Sequence, residues 1–70
     1  MANINSAGFS DEERRLRNRL IELNIRQKHV AATLGIHIND VSNVIRGRSR
    51  SPRYIVEVYR CLGLEPPASI

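Results

Sequence analysis

Asn39, Ser42, Asn43 and Arg46 recur at i, i+3, i+4 and i+7, which on a helix puts four hydrogen-bonding side chains on one stripe. None of them is Glu or Lys. A face that merely meets solvent more often carries the strong helix formers, whereas Asn and Ser lower helix propensity and are placed mostly for specific bonding. Directly after the stripe, Arg46-Gly47-Arg48-Ser49-Arg50-Ser51-Pro52-Arg53 holds four arginines and no acid. Ten of the chain's 11 cations are Arg, whose planar fork suits bidentate contact with phosphate better than the point charge of Lys. Carboxamide and hydroxyl groups beside guanidinium groups make a surface for recognising a polyanion. They do not make or break bonds.

Residues for bond-making chemistry are missing from the pattern. His29 and His37 stand eight apart with no acid and nucleophile grouped around them, Ser42 and Ser51 have structural explanations, and no Gly-rich loop follows a strand. Cys61, the only cysteine, cannot form an internal disulfide and reads as a small apolar filler. Two His and one Cys offer no spacing for three or four zinc ligands. The expectation is therefore a non-enzyme with no metal, no cofactor and no evident small-molecule effector. Membrane binding is not expected either. No stretch approaches the roughly 18 to 20 apolar residues of a bilayer span, no basic segment leads into a long apolar run as in a secretory signal, and no Trp anchors an apolar face. The chain reads as soluble and cytoplasmic.

Seventy residues are enough for one domain. The net charge of +4 is unevenly spread. Between positions 10 and 25, Asp11, Glu12, Glu13 and Glu22 balance Arg14, Arg15, Arg17 and Arg19, whereas between 26 and 60 seven cations face only Asp40 and Glu57. The hydrophobic fraction is 41% with one Phe, two Tyr and no Trp, so the core is small, and without staples a dimer is the expected source of further stability.

Four helices must position these groups. Positions 1–9 lack an apolar period and read as a flexible arm. Ser10-Asp11-Glu12-Glu13 has the form of a capping box, after which Leu16, Leu20 and Leu23, with Ile21 alongside, form an apolar stripe that ends near Asn24. A second helix runs from about Arg26 or Gln27 to Leu34 with Val30, Ala31 and Leu34 inward, and Gly35 stops it, with Ile36 plugging the space beyond. The third, from about Ile38 to Arg46 before Gly47, turns Val41, Val44 and Ile45 inward and the polar stripe outward. Ser51 and Pro52 signal the start of a fourth, whose face is Ile55, Val58, Tyr59 and Leu62 and which Gly63 closes. Val56 and Cys61 broaden that face. They form either a broad core face or, with Tyr59 and Arg60 beside Val56, a contact between two copies of the chain. No period-2 segment occurs, so the fold class is all-α, with a domain over positions 10–64 and a short tail at 65–70.

A helix of about eight residues, a Gly-containing turn and a second short helix with a polar outer face is a helix-turn-helix arrangement, at about 26–46 here. Ala31 suits the close helix crossing, Gly35 the turn, and Val41 and Val44 the packing of the second helix on the first. Residues 27–47, Gln-Lys-His-Val-Ala-Ala-Thr-Leu-Gly-Ile-His-Ile-Asn-Asp-Val-Ser-Asn-Val-Ile-Arg-Gly, resemble the motif of the lambda repressor and Cro-like (XRE-type) family, which includes many small phage and prophage regulators. The resemblance covers the central third of the chain strongly and the flanking helices more loosely. It implies a compact four- to five-helix DNA-binding domain in which Gln27 lies close to the DNA backbone and braces a base-contacting residue. It also implies base reading by Ile38, Asn39, Ser42 and Asn43, and a phosphate contact by Arg46. Two positions depart from the family pattern. His37, a poorer N-cap, stands where Ser or Thr usually caps the reading helix, and Ile38 stands where a long polar reader is usual; Ile38 meets a thymine methyl or packs inwards, the second being slightly favoured.

On physical grounds Lys28, Arg46, Arg48, Arg50 and Arg53 would neutralise phosphates and set register, and Asn39 and Asn43 would pair with base edges. The expected partner is double-stranded DNA carrying an inverted repeat, bound by a homodimer with half-sites about one helical turn apart. Occupying a promoter is the simplest action for a chain with no further domain, and the resemblance adds autoregulation of a phage or accessory operon. An RNA-binding module lacks stacking aromatics here, and an antitoxin-like or protein-interaction module would use the fourth helix to hold its partner.

Overall fold

Ser10 opens the first helix by placing its Oγ to accept the Glu13 backbone N–H at 3.1 Å. In the computed structural model, which describes residues 10–68, this starts α1 (Asp11–Leu23), followed by α2 (Gln27–Leu34), α3 (Ile38–Ile45) and α4 (Pro52–Cys61). There is no strand among the described residues. The expected arm at positions 1–9, and positions 69–70 of the expected tail, lie outside the described residues. The reciprocal half of the capping box is replaced. Glu13 Oε2 accepts from Arg17 Nε at 3.1 Å, and Glu13 is buried beside the apolar stripe.

Each helix stops where the sequence offers a residue for left-handed backbone. Asn24 adopts φ 58° and closes α1, and its N–H bonds back to Ile21 O at 3.0 Å. Gly35, at φ 71°, closes α2. Ile36 N–H then reaches Ala31 O at 3.1 Å, and the Ile36 side chain packs against the core. After α4, Gly63 combines φ 73° with crowding, since a Cβ there would stand 3.2 Å from Arg19 Nη2.

The core gathers Leu16 and Leu20 from α1, Val30 and Ala31 from α2, Val41, Val44 and Ile45 from α3, and Val58, Tyr59 and Leu62 from α4 and its end. α3 packs against all three other helices, most extensively α2. Every apolar position assigned inward on α3 is buried, and full burial of a side chain of this size contributes about 1.5 to 3 kcal/mol. The radius of gyration is 11.9 Å, near the roughly 11 Å of a compact chain of this length.

Two long-range hydrogen bonds tie α1 to the α4 end. Tyr59 Oη donates to Glu12 Oε2 at 2.6 Å, and Arg19 Nε donates to Leu62 O at 2.8 Å. Burial, reinforced by the hydrogen bond and negative charge of Glu12, raises the Tyr59 pKa well above the ordinary phenol range.

Three expectations need correction. Ile21 is 75% exposed, because five residues on from Leu16 it stands about 140° around the helix and off the stripe. Leu23 is 38% exposed, in the last turn of α1. Tyr59 is only 3% exposed and belongs to the core with its hydroxyl engaged, so it is not a surface residue for a second copy. Beyond α4, Leu64 packs against the core, and Pro67 of the tail lines a cleft of about 210 Å³ with Glu12, Val44 and Tyr59.

Candidate nucleic-acid interface

The outward side of α3 is built by the same residues that fix its inward side. Val41, Val44 and Ile45 hold it to the core, and the 3.6-residue period then leaves Asn39, Asn43 and Arg46 exposed on the other side. Ile38 is 41% exposed, so it does not pack inwards; as the first helical residue it precedes the turn that faces the core.

Ser42 is half-buried and bonded to α2. Its Oγ donates to Gln27 Oε1 at 2.5 Å, a short separation that suits an O–H···O pair. The Gln27 carbonyl is thereby occupied and its amide N–H groups remain as donors. This bond joins the start of α2 to the middle of the polar stripe, and Lys28 is exposed next to it.

His37 caps α3, contrary to its low rank as a capping residue. With extended backbone at φ −74° and ψ 147°, it turns Nδ1 to accept the Asn39 backbone N–H at 3.0 Å. An unprotonated ring nitrogen is as competent an acceptor as a carboxamide oxygen. His29 makes a similar bond in the first turn of α2, accepting the Arg26 N–H at 3.0 Å. Frequency-based reading misses both, because His is scored there as a side chain and not as an acceptor at a particular reach.

The basic segment is folded onto the end of α3. Gly47 takes φ 76° and donates to Val44 O, and the N–H groups of Arg48 and Ser49 both reach Asn43 O, at 2.8 and 3.2 Å. Arg46, Arg48 and Arg50 are exposed. Cations at this end also complement the negative pole of the helix dipole. Arg53 is different, since its Nε donates to Glu57 Oε2 at 3.1 Å, an exposed i,i+4 pair. Such pairs contribute about 0 to 1 kcal/mol, so a phosphate can displace the carboxylate.

The structure thus brings Gln27 and Ser42 into contact, and sets Ile38, Asn39, Asn43 and Arg46 on the exposed side of the same helix. Val56 is half-buried and Arg60 exposed, both on α4 and apart from that stripe, while Tyr59 is in the core. Among the described residues no cluster of three His, Cys, Asp or Glu side chains is suited to a metal ion, and no helix is long and apolar enough to cross a membrane. Comparison with family models, with curated proteins and with solved structures gives no match.

Proposed function

We propose that this chain is a sequence-specific regulator that binds double-stranded DNA through α3, as a homodimeric repressor that occupies an inverted repeat and controls, among others, its own promoter. The single observation that carries the reading is the braced polar stripe: Asn39, Asn43 and Arg46 exposed on α3, with Ser42 held by Gln27 of the preceding helix. A helix about 10 to 12 Å across fits a major groove about 12 Å wide. Held there by the core behind Val41 and Val44, α3 would present the Asn carboxamides to base edges. Gln27, Lys28, Arg46, Arg48, Arg50 and Arg53 would meet backbone phosphates, fixing register without reading sequence.

Repression follows from occupancy, with the bound dimer excluding polymerase from an overlapping promoter. The resemblance to small phage and prophage regulators supports autoregulation of a phage or accessory operon. Single-stranded RNA recognition fits less well, because Tyr59 is buried and Tyr54 packs against the core, leaving neither as an open stacking platform.

Fluorescence anisotropy with duplex DNA from upstream of the chain's own coding region, against a scrambled duplex across a salt series, tests the reading. The expected outcome is preferential binding to the upstream duplex at physiological salt. With about three to five phosphates neutralised per subunit, the log–log salt slope is expected at about −5 to −9 for a dimer. Equal, salt-labile binding to both duplexes would count against autoregulation.

A further inference from the structure

His37 makes one acceptor bond and has one donor to spare. Its Nδ1 accepts the Asn39 N–H at 3.0 Å, so that nitrogen carries no proton, and a neutral imidazole then carries its N–H on Nε2. The two nitrogens lie on opposite flanks of the ring. With Nδ1 turned to the first turn of α3, Nε2–H is directed away from it, and the residue is exposed. The cap therefore does more than close the helix start: it fixes both the tautomer and the orientation of an outward donor. The Asn39 amide is already taken by the ring and the Asp40 amide by His37 O, so the imidazole adds at this point an outward donor that those two amides no longer supply.

We propose that His37 is itself a DNA-contacting residue, with Nε2–H donating to a phosphate oxygen at the rim of the groove that receives α3 while Nδ1 holds the helix start. This rests on the duplex-DNA reading above. Three features of the position favour phosphate over a base edge. His37 lies outside the helix, on extended backbone one residue before Ile38. It is exposed on the side where the chain enters α3. A lone neutral donor lacks the bidentate pattern that reads a base. His29 serves as an internal control. It has the same Nδ1 acceptor bond and the same implied tautomer, but stands about 200° around α2 from Gln27, away from the Ser42 contact.

Nitrogen-15 NMR of the imidazoles in the full chain tests this, followed by titration with a duplex enriched from a random-sequence pool by the unaltered protein. The expected result is the Nε2–H tautomer at His37 before DNA, and a displaced His37 Nε2–H signal at saturation with His29 unmoved. An Nδ1–H tautomer, or an unmoved His37 when α3 amides shift, overturns the proposal. His37→Asn supplies the second arm, because Asn is among the best N-caps and its carboxamide ends short of the Nε2 position. Its thermal midpoint should hold, and binding should weaken about two- to tenfold on enriched and scrambled duplexes alike. Unchanged affinity, or weakening confined to the enriched duplex, defeats the phosphate contact. Failure of the unaltered protein to bind any duplex defeats the parent reading as well, and is recognised before the variant is made.

Discussion

Asn39 and Asn43 each carry a carboxamide that donates and accepts together, the complement of the adenine edge in the major groove. Both are exposed on α3, and substituting either by Ala removes nothing from the core. Asn39→Ala and Asn43→Ala should each lose about 1 to 3 kcal/mol of discrimination between the preferred duplex and one altered at the contacted base pair; a competition assay showing unchanged discrimination would remove that residue from the reading face. Tyr59 supports the fold in another way. Its phenol pKa is raised from an ordinary 10, by burial and then by Glu12. A group whose folded pKa lies above its unfolded value gives stability that is complete below the unfolded pKa and is lost as pH rises towards the folded one. Unfolding midpoints should therefore fall as pH is taken above about 10. In Tyr59→Phe that slope should flatten, and the variant should be less stable by about 1 kcal/mol near neutral pH through the lost bond to Glu12; urea titrations at two pH values measure both. The stripe was legible in the sequence because spacing alone puts Asn39 and Asn43 together. The Tyr59–Glu12 bond was not, since its partners are 47 positions apart and no local pattern joins them.

At the scale of elements, helix ends were the clearest signals. Ser10, Asn24, Gly35, Ser51 and Pro52 each act locally, through a capping oxygen, a left-handed backbone or a fixed φ, and each sits at the boundary that its chemistry specifies. Less legible was how far along a helix an apolar stripe stays buried, since Leu23 in the last turn of α1 is 38% exposed. His37 shows a second limit: a preference table ranks residue types, whereas the helix needs an acceptor at one place, and Nδ1 is there. The loop after α3 carries a prediction of its own. Because Arg48 and Ser49 are pinned to Asn43 O through backbone N–H groups, removing the Arg48 side chain leaves that turn intact. Arg48→Ala combined with Arg50→Ala should weaken binding to all duplexes alike and flatten the salt slope by about 0.9 per lost phosphate contact per subunit. A loss confined to one sequence would contradict a phosphate role.

At the scale of the whole molecule, α3 is the central support and also carries the proposed reading face, since it touches every other helix on one side and presents the polar stripe on the other. All-α architecture and the helix order followed from periodicity. A surface on which a second copy would dock did not, because Val56 and Cys61 fit a core face and a contact face equally well by pattern, and the structure moves Tyr59 into the core. Val56, half-buried on α4 beside exposed Arg60, is what remains of the proposed dimer surface. Val56→Asp should convert a dimer to monomers in sedimentation experiments and leave the helical content unchanged; an intact dimer would put the interface elsewhere. Sequence-specific recognition of duplex DNA can be checked by selection from a random-sequence duplex pool at physiological salt. The expected outcome is enrichment of an inverted repeat whose half-sites are about one helical turn, roughly 34 to 36 Å, apart. A pool that emerges as random as it began, with every duplex bound alike and released by salt, would contradict it.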